Sequence, residues 1–132
     1  MTRRSPVRPP PTPQPPTQRS PAQTAGDAAE ARALAFLQAR GLRLVERNVS
    51  SRLGEIDLIM REAETLVFVE VRSRASRSYG GAAASVGPAK QRRLQREAQR
   101  YMNARYGDRW PPCRFDVFAI DAGEADWIRG AF

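Results

Sequence analysis

Two acidic side chains stand inside otherwise apolar stretches: Asp57 in Gly54-Glu55-Ile56-Asp57-Leu58-Ile59, and Glu70 in Leu66-Val67-Phe68-Val69-Glu70-Val71-Arg72. A carboxylate in a buried strand costs free energy unless water, a partner charge or a metal compensates it. Two of them on successive strands, joined by a short polar turn, converge and repel, and a cation between them removes the repulsion. Oxygen ligands suit magnesium, manganese or calcium. Such an ion makes water a competent nucleophile and neutralises charge building on phosphorus, so the pair points to hydrolysis of a phosphate ester. Arg72, two residues beyond Glu70, is directed to the same place, where it would hold water or phosphate. A hairpin ion pair between Asp57 and Arg72 is the alternative that needs no metal.

The residue inventory narrows the chemistry further. Histidine is absent and Cys113 is the one cysteine, which excludes Ser/His/Asp and Cys/His catalysis, His- or Cys-ligated zinc and an internal disulfide. With one cysteine, the cytoplasm is the default compartment. No apolar run reaches the roughly 18 residues of a membrane span, and no hydrophobic segment follows Arg3-Arg4 to make a secretion signal.

The elements that must position the acids follow from periodicity. A helix is predicted from Asp27 to about Arg40, with Asp27 and Glu30 at capping-box spacing, Gly41 as a stop and Ala33, Phe36 and Leu37 as the apolar stripe. Glu30 lies on its inward side, so it closes the cap, faces the acids, or both. Strands are predicted at 42–47, 54–60 and 66–72, with turns at 48–52 and 61–64. Alternation puts Glu55, Asp57 and Ile59 on one side of their strand, and Leu66, Phe68, Glu70 and Arg72 on one side of the next. An even-length hairpin loop then places Asp57 opposite Glu70 or one diagonal step away. Glu55, beside Gly54, reads as a rim charge.

Residues 73–87, rich in Ser, Gly, Ala and Arg, read as a mobile loop. Gly87-Pro88 opens a second helix that buries Leu94, Ala98, Tyr101 and Met102 and ends at Gly107. Lys90 sits at the edge of that buried face, as plain surface or as a second amine near the acids. Arg92, Arg96 and Arg100 share another face, which suits either a solvated surface or phosphate-backbone contacts. A last strand covers 114–120. The fold class is α/β, in the order α-β-β-β-α-β, with a mixed sheet flanked by helices. Trp110 and Trp127 fit core, base-stacking or interface roles.

Residues 1–25 hold eight of the eleven prolines and four arginines with no acid, and read as a disordered basic arm preceding one domain, 26–132. Half of the formal charge of +8 lies in that arm and half in the domain. A basic excess on both favours polyanions, although 21 arginines against one lysine also reflect a compositional bias.

The acidic signature, extended through Ser73-Arg74, resembles the uncharacterised bacterial YraN-like family. Further matches are Glu30 with Ala33 and Leu37, Glu46-Arg47-Asn48, Val86 with Lys90, Arg114-Phe115-Asp116-Val117 and Ala131-Phe132. The resemblance covers about residues 26–132. That family is similar to the PD-(D/E)xK nuclease superfamily, with a restriction-endonuclease-like fold and a likeness to archaeal Holliday junction resolvases. The resemblance implies Asp57 and Glu70 as ligands of magnesium or manganese, Glu30 as the helix-borne acid, DNA as partner (branched DNA in particular) and a homodimer. Arg72 stands where the superfamily motif has lysine. Arginine keeps the charge but does not give up a proton, so Lys90 is the alternative amine. Three readings follow: a metal-dependent endonuclease, a nucleic-acid-binding module of the same fold without cleavage, and an interaction protein whose proline-rich arm docks a partner.

Overall fold

Apolar residues at helical spacing and at strand alternation sort this chain into two helical layers around one sheet. The computed structural model describes residues 20–76 and 80–132. Along them run α1 (Pro21–Ala39), β1 (Arg43–Ser51), β2 (Gly54–Glu62), β3 (Thr65–Arg74), α2 (Gly81–Ala84), α3 (Pro88–Tyr106), β4 (Cys113–Asp121) and β5 (Glu124–Ile128). The strands lie side by side in sequence order. β3 and β4 pair in parallel across the α2–α3 crossover, and the other neighbours are antiparallel. This is the expected mixed α/β architecture with an α-β-β-β-α-β core.

Each face of the sheet buries one helix. Leu58, Met60, Val67, Val69, Phe118 and Ile120 pack with Ala29, Ala33 and Leu37 of α1. On the other face, Ile59, Leu66, Phe68, Val117 and Ala119 pack with Leu94, Ala98, Tyr101 and Met102 of α3. Central strands covered on both sides need apolar residues at both parities, which is why β2 and β3 read as near-continuous apolar runs. Gly54 lets the start of β2 lie against α3, since a Cβ there would meet the Arg93 carbonyl oxygen at 2.8 Å. Among the described residues no helix is long and apolar enough to cross a membrane.

Several boundaries differ from expectation. α1 starts at Pro21, not Asp27. Ser20 is its N-cap, with Gln23 N–H donating to Ser20 Oγ at 3.2 Å and Ser20 N–H to Gln23 Oε1 at 2.9 Å. Ser20-Pro21-Ala22-Gln23 has capping-box spacing too, and it adds proline at N1. Residues 21–25, assigned above to the arm, are therefore helical, while 1–19 lie outside the described residues. β1 runs on to Ser51 through most of the predicted turn at 48–52, with Asn48 at a left-handed φ of 51° inside the strand, and the turn that follows is only Arg52-Leu53. The β2–β3 turn is only Ala63-Glu64, shorter than 61–64 but still even.

The predicted loop at 73–87 also shortens. β3 continues to Arg74, and α2 forms where Ala82 N–H donates to buried Asp121 Oδ1 at 2.7 Å. That tertiary bond is invisible in a small-residue stretch. Residues 77–79 lie outside the described ones. β5 was not predicted. Its hairpin turn, Ala122-Gly123, has positive φ at both positions, and alanine in the first hid the usual Asn-Gly signal. Trp127 packs edge-on to Phe36 at 6.2 Å, which gives it a core role, whereas Trp110 stays 43% exposed. At the chain's end Phe132 stacks on Phe115 at 5.0 Å, and Ala131 N–H donates to the Phe115 carbonyl at 2.8 Å.

Candidate metal centre

The acids occupy a fork between β2 and β3. The backbone ladder runs from Glu62↔Thr65 to Leu58↔Val69. One step further the Asp57 side chain takes over, its Oδ2 accepting the Val71 N–H at 2.8 Å. Side-chain alternation slips at this point. Ile56 and Ile59 share the α3-side cluster while Leu58 and Met60 face α1, so Glu55, Asp57 and Ile59 do not share one face as strict alternation predicts. Glu55 is left exposed, and the Asp57 carboxyl lies in the gap beside Glu70, with no donor between the two.

Glu70 is only 4% exposed. Arg72 Nε lies 3.1 Å from its Oε1, out of line for a hydrogen bond, and Lys90 Nζ lies 3.7 Å from the same oxygen. The metal-free alternative, Asp57 paired with Arg72, is not what forms, because Arg72 turns to Glu70. Among the described residues, Glu70 Oε2 and Glu30 Oε1 are buried oxygens with no hydrogen-bond partner. Glu30 has Arg47 at 3.8 Å and, with the cap now at Ser20, is free of any capping duty. No three carboxylates among the described residues draw close enough to enclose an ion by themselves. Asp57 and Glu70 form the pair, and Glu30 faces them from α1.

The acids resist ionising together. Burial pushes Glu70 up to about 7, and the Asp57 charge adds to the shift while Lys90 and Arg72 oppose it. Burial also raises Asp57, with the Val71 amide pulling the other way, and Glu30 is raised by burial and then by Asp57. A carboxyl with a raised folded-state value favours folding below the unfolded value and loses that advantage as pH rises through the folded one. In chelator, wild type should therefore lose stability relative to Glu70→Gln between 4.5 and about 7. The loss should be on the order of 2 kcal/mol. Urea denaturation of both proteins at about pH 5 and about pH 8 reads this, and a gap that fails to widen contradicts the assignment.

The fork opens into a groove of about 1090 Å³. Ala29 and Glu30 of α1 form one wall, and Asp57, Arg72 and Arg74 another. That volume exceeds what an ion requires and accommodates a ligand of nucleotide size. Arg92 and Arg96 are exposed on α3, whereas Arg100 is bonded to Glu97, so the predicted arginine stripe divides. Glu97 is fully buried, held by Arg100 and the Ser51 hydroxyl. It was missed, although its i,i+3 spacing to Arg100 was a signal.

Arg114-Phe115-Asp116-Val117 is structural. Buried Asp116 accepts from Arg114 Nε at 3.0 Å, Trp127 Nε1 at 2.9 Å and Gly130 N at 2.9 Å. The acidic fork, Arg114 and Asp116 of this clamp, and α1 from Ala29 onward fall within residues 29–120, and that segment matches the profile of the uncharacterised protein family UPF0102. The chain belongs to the UPF0102 family. It is 54% identical to a UPF0102 protein of Ralstonia nicotianae over 124 residues, covering 91% of this chain and 95% of that one. A UPF0102 protein of Cupriavidus metallidurans is 57% identical over 108 residues, 81% of this chain and 79% of that one. One from Bordetella parapertussis is 48% identical over 134 aligned positions, 98% and 76% of the two chains. UPF0102 is the YraN-like family of the sequence resemblance.

Proposed function

We propose that this UPF0102 protein is a divalent-metal-dependent, nuclease-like protein that acts in the cytoplasm on DNA, branched DNA in particular. The observation that carries the reading is the buried Glu70 Oε2, left without a partner beside the Asp57 carboxyl. An all-oxygen donor set of this kind fits magnesium or manganese. Asp57 and Glu70 would hold the ion, with Glu30 assisting from α1. Magnesium or manganese there supplies neutralisation of charge on a phosphate and acidifies a water.

The chain's own side chains do the rest. Arg72 and Lys90, both next to Glu70, orient phosphate oxygens and offset their charge. Of the two, Arg72 presents a planar guanidinium fork and Lys90 a compact primary amine. The groove beside the fork takes the sugar-phosphate chain, and exposed Arg92 and Arg96 with the basic arm add salt-sensitive backbone affinity. A homodimer is the assembly this reading expects.

The test is purified protein with four-way junction, flap and linear duplex DNA in magnesium or manganese. Cleavage should appear with metal, vanish in chelator and vanish in Asp57→Ala and Glu70→Ala. Activity unchanged in both variants rejects the site. One observation favours a second reading, a binding module without cleavage: the Arg72 guanidinium lies against the ligand oxygen where the superfamily has lysine. Such a module binds DNA equally well in chelator and gives no magnesium-binding heat.

A further inference from the structure

The hairpin between β1 and β2 ends in a turn of two exposed residues, Arg52-Leu53. A single exposed leucine is ordinary on a protein surface. The way this one is held is not. Leu53 N–H donates to Ser51 Oγ at 3.0 Å, and the Ser51 hydroxyl donates in turn to Glu97 Oε2. Glu97 is fully buried on α3, with Arg100 Nε 2.8 Å from its other oxygen. A buried carboxylate is costly unless it is bonded, and this one ties the turn that carries Leu53 to the helix. Gly54 brings the same turn onto α3, where a Cβ would meet the Arg93 backbone. The leucine presented at this doubly anchored tip is 44% exposed.

Its place in the fold gives it a neighbour. Among the described residues three large apolar side chains are exposed: Leu44, Leu53 and Trp110. Leu44 pairs opposite Met60, and Trp110 precedes β4, whose Cys113 pairs with Leu66, so both lie toward the end of the sheet away from the acids. Leu53 lies at the acid end. Asp57 follows Gly54 along β2 by roughly 10 Å of strand. Lys90, which neighbours Glu70, precedes Arg93 on α3 by less than one helical turn, roughly 5 Å. Arg52 beside the leucine and Arg93 at the base of the turn are both exposed cations. An apolar side chain raised between cations suits a stack of bases: the cations meet phosphates and the leucine enters between bases.

We propose that Leu53 is a wedge that enters DNA where base stacking is already broken, at a branch, with Arg52 and Arg93 on the flanking phosphates. The inference rests on the nuclease-like reading and supplies the element that selects branched DNA over duplex. Entering an intact stack costs unstacking energy, whereas at a branch the stack is interrupted, so the same side chain contributes more there. A leucine has no donor or acceptor with which to read a base edge, so the selection is by structure and not by sequence.

The test uses a four-way junction and a linear duplex of the same sequence, each carrying a fluorescent adenine analogue, quenched while stacked, at the branch or the equivalent position. The full chain is titrated with each DNA in calcium and again in chelator. Wild type should bind the junction more tightly and raise the emission there. Leu53→Ala should weaken junction binding about fivefold to twentyfold and lose the rise in emission, while duplex binding weakens less than about twofold. Leu53→Met, which keeps the apolar reach, should retain most of both. Because Leu53 is exposed, Tm should stay within about 3 °C of wild type in each variant. Arg52→Ala should instead lower the log–log salt slope by about one on both DNAs.

Junction affinity and emission unchanged in Leu53→Ala overturn the wedge and leave the nuclease-like reading standing. Equal losses on junction and duplex without a change in emission overturn it as well, since they describe a surface contact. A shift in sedimenting mass of Leu53→Ala with DNA binding intact assigns the leucine to a protein contact and also overturns it. Wild type that binds neither DNA in either condition removes the nuclease-like reading, and the wedge with it.

Discussion

Asp57→Asn should bind manganese roughly tenfold to a hundredfold more weakly than wild type in a calorimetric titration, with the fold intact. The substitution removes one of two negative charges that draw a dication into the fork. Its remaining carbonyl oxygen can still accept the Val71 N–H, so the opening between β2 and β3 keeps its shape. Relief from burying a second charge beside Glu70 should leave stability level or slightly raised. Circular dichroism and thermal melting on the same sample separate the two effects. Equal manganese affinity in wild type and Asp57→Asn would remove Asp57 from the metal centre. Metal-dependent cleavage should fall with the lost affinity.

The largest loss of stability should come from Asp116→Ala, at about 3–5 kcal/mol. The fully buried carboxylate binds the Arg114 guanidinium, the Trp127 indole N–H and the Gly130 amide. Its removal leaves two neutral donors unsatisfied and Arg114 with only Glu62 at 2.9 Å. For a domain of this size Tm should drop by roughly 12–25 °C. Asp116→Asn, which keeps an acceptor oxygen, should lose less. Urea denaturation decides it, and a cost for Asp116→Ala under about 1 kcal/mol would mean that β5 and the C-terminal residues are held by packing alone.

The acids stood out because an apolar strand that admits a carboxylate advertises it, and the even two-residue turn carries the β2–β3 ladder to Leu58↔Val69, one step from them. The fork was not legible. It depends on the Asp57 side chain replacing a backbone partner at Val71, and on a slip in alternation that no hydropathy pattern records. Glu30 was found at the right address with an ambiguous duty. The ambiguity ended when Ser20 and Gln23 proved to form the cap. α2 and β5 escaped because a tertiary bond to Asp121 and an unusual turn residue, Ala122, specify them. Arg100 looked like its neighbours Arg92 and Arg96 because burial of Glu97 is decided by packing against Ser51, distant in sequence.

The stacking of Phe132 on Phe115 has a practical consequence for handling the protein. Any affinity tag or fluorescent fusion attached after this residue leaves from a ring packed against the core, next to the main-chain bond from Ala131 to Phe115. Such an attachment pulls on β4, the strand parallel to the one that carries Glu70. Labels belong at the other terminus, ahead of the α1 cap at Ser20.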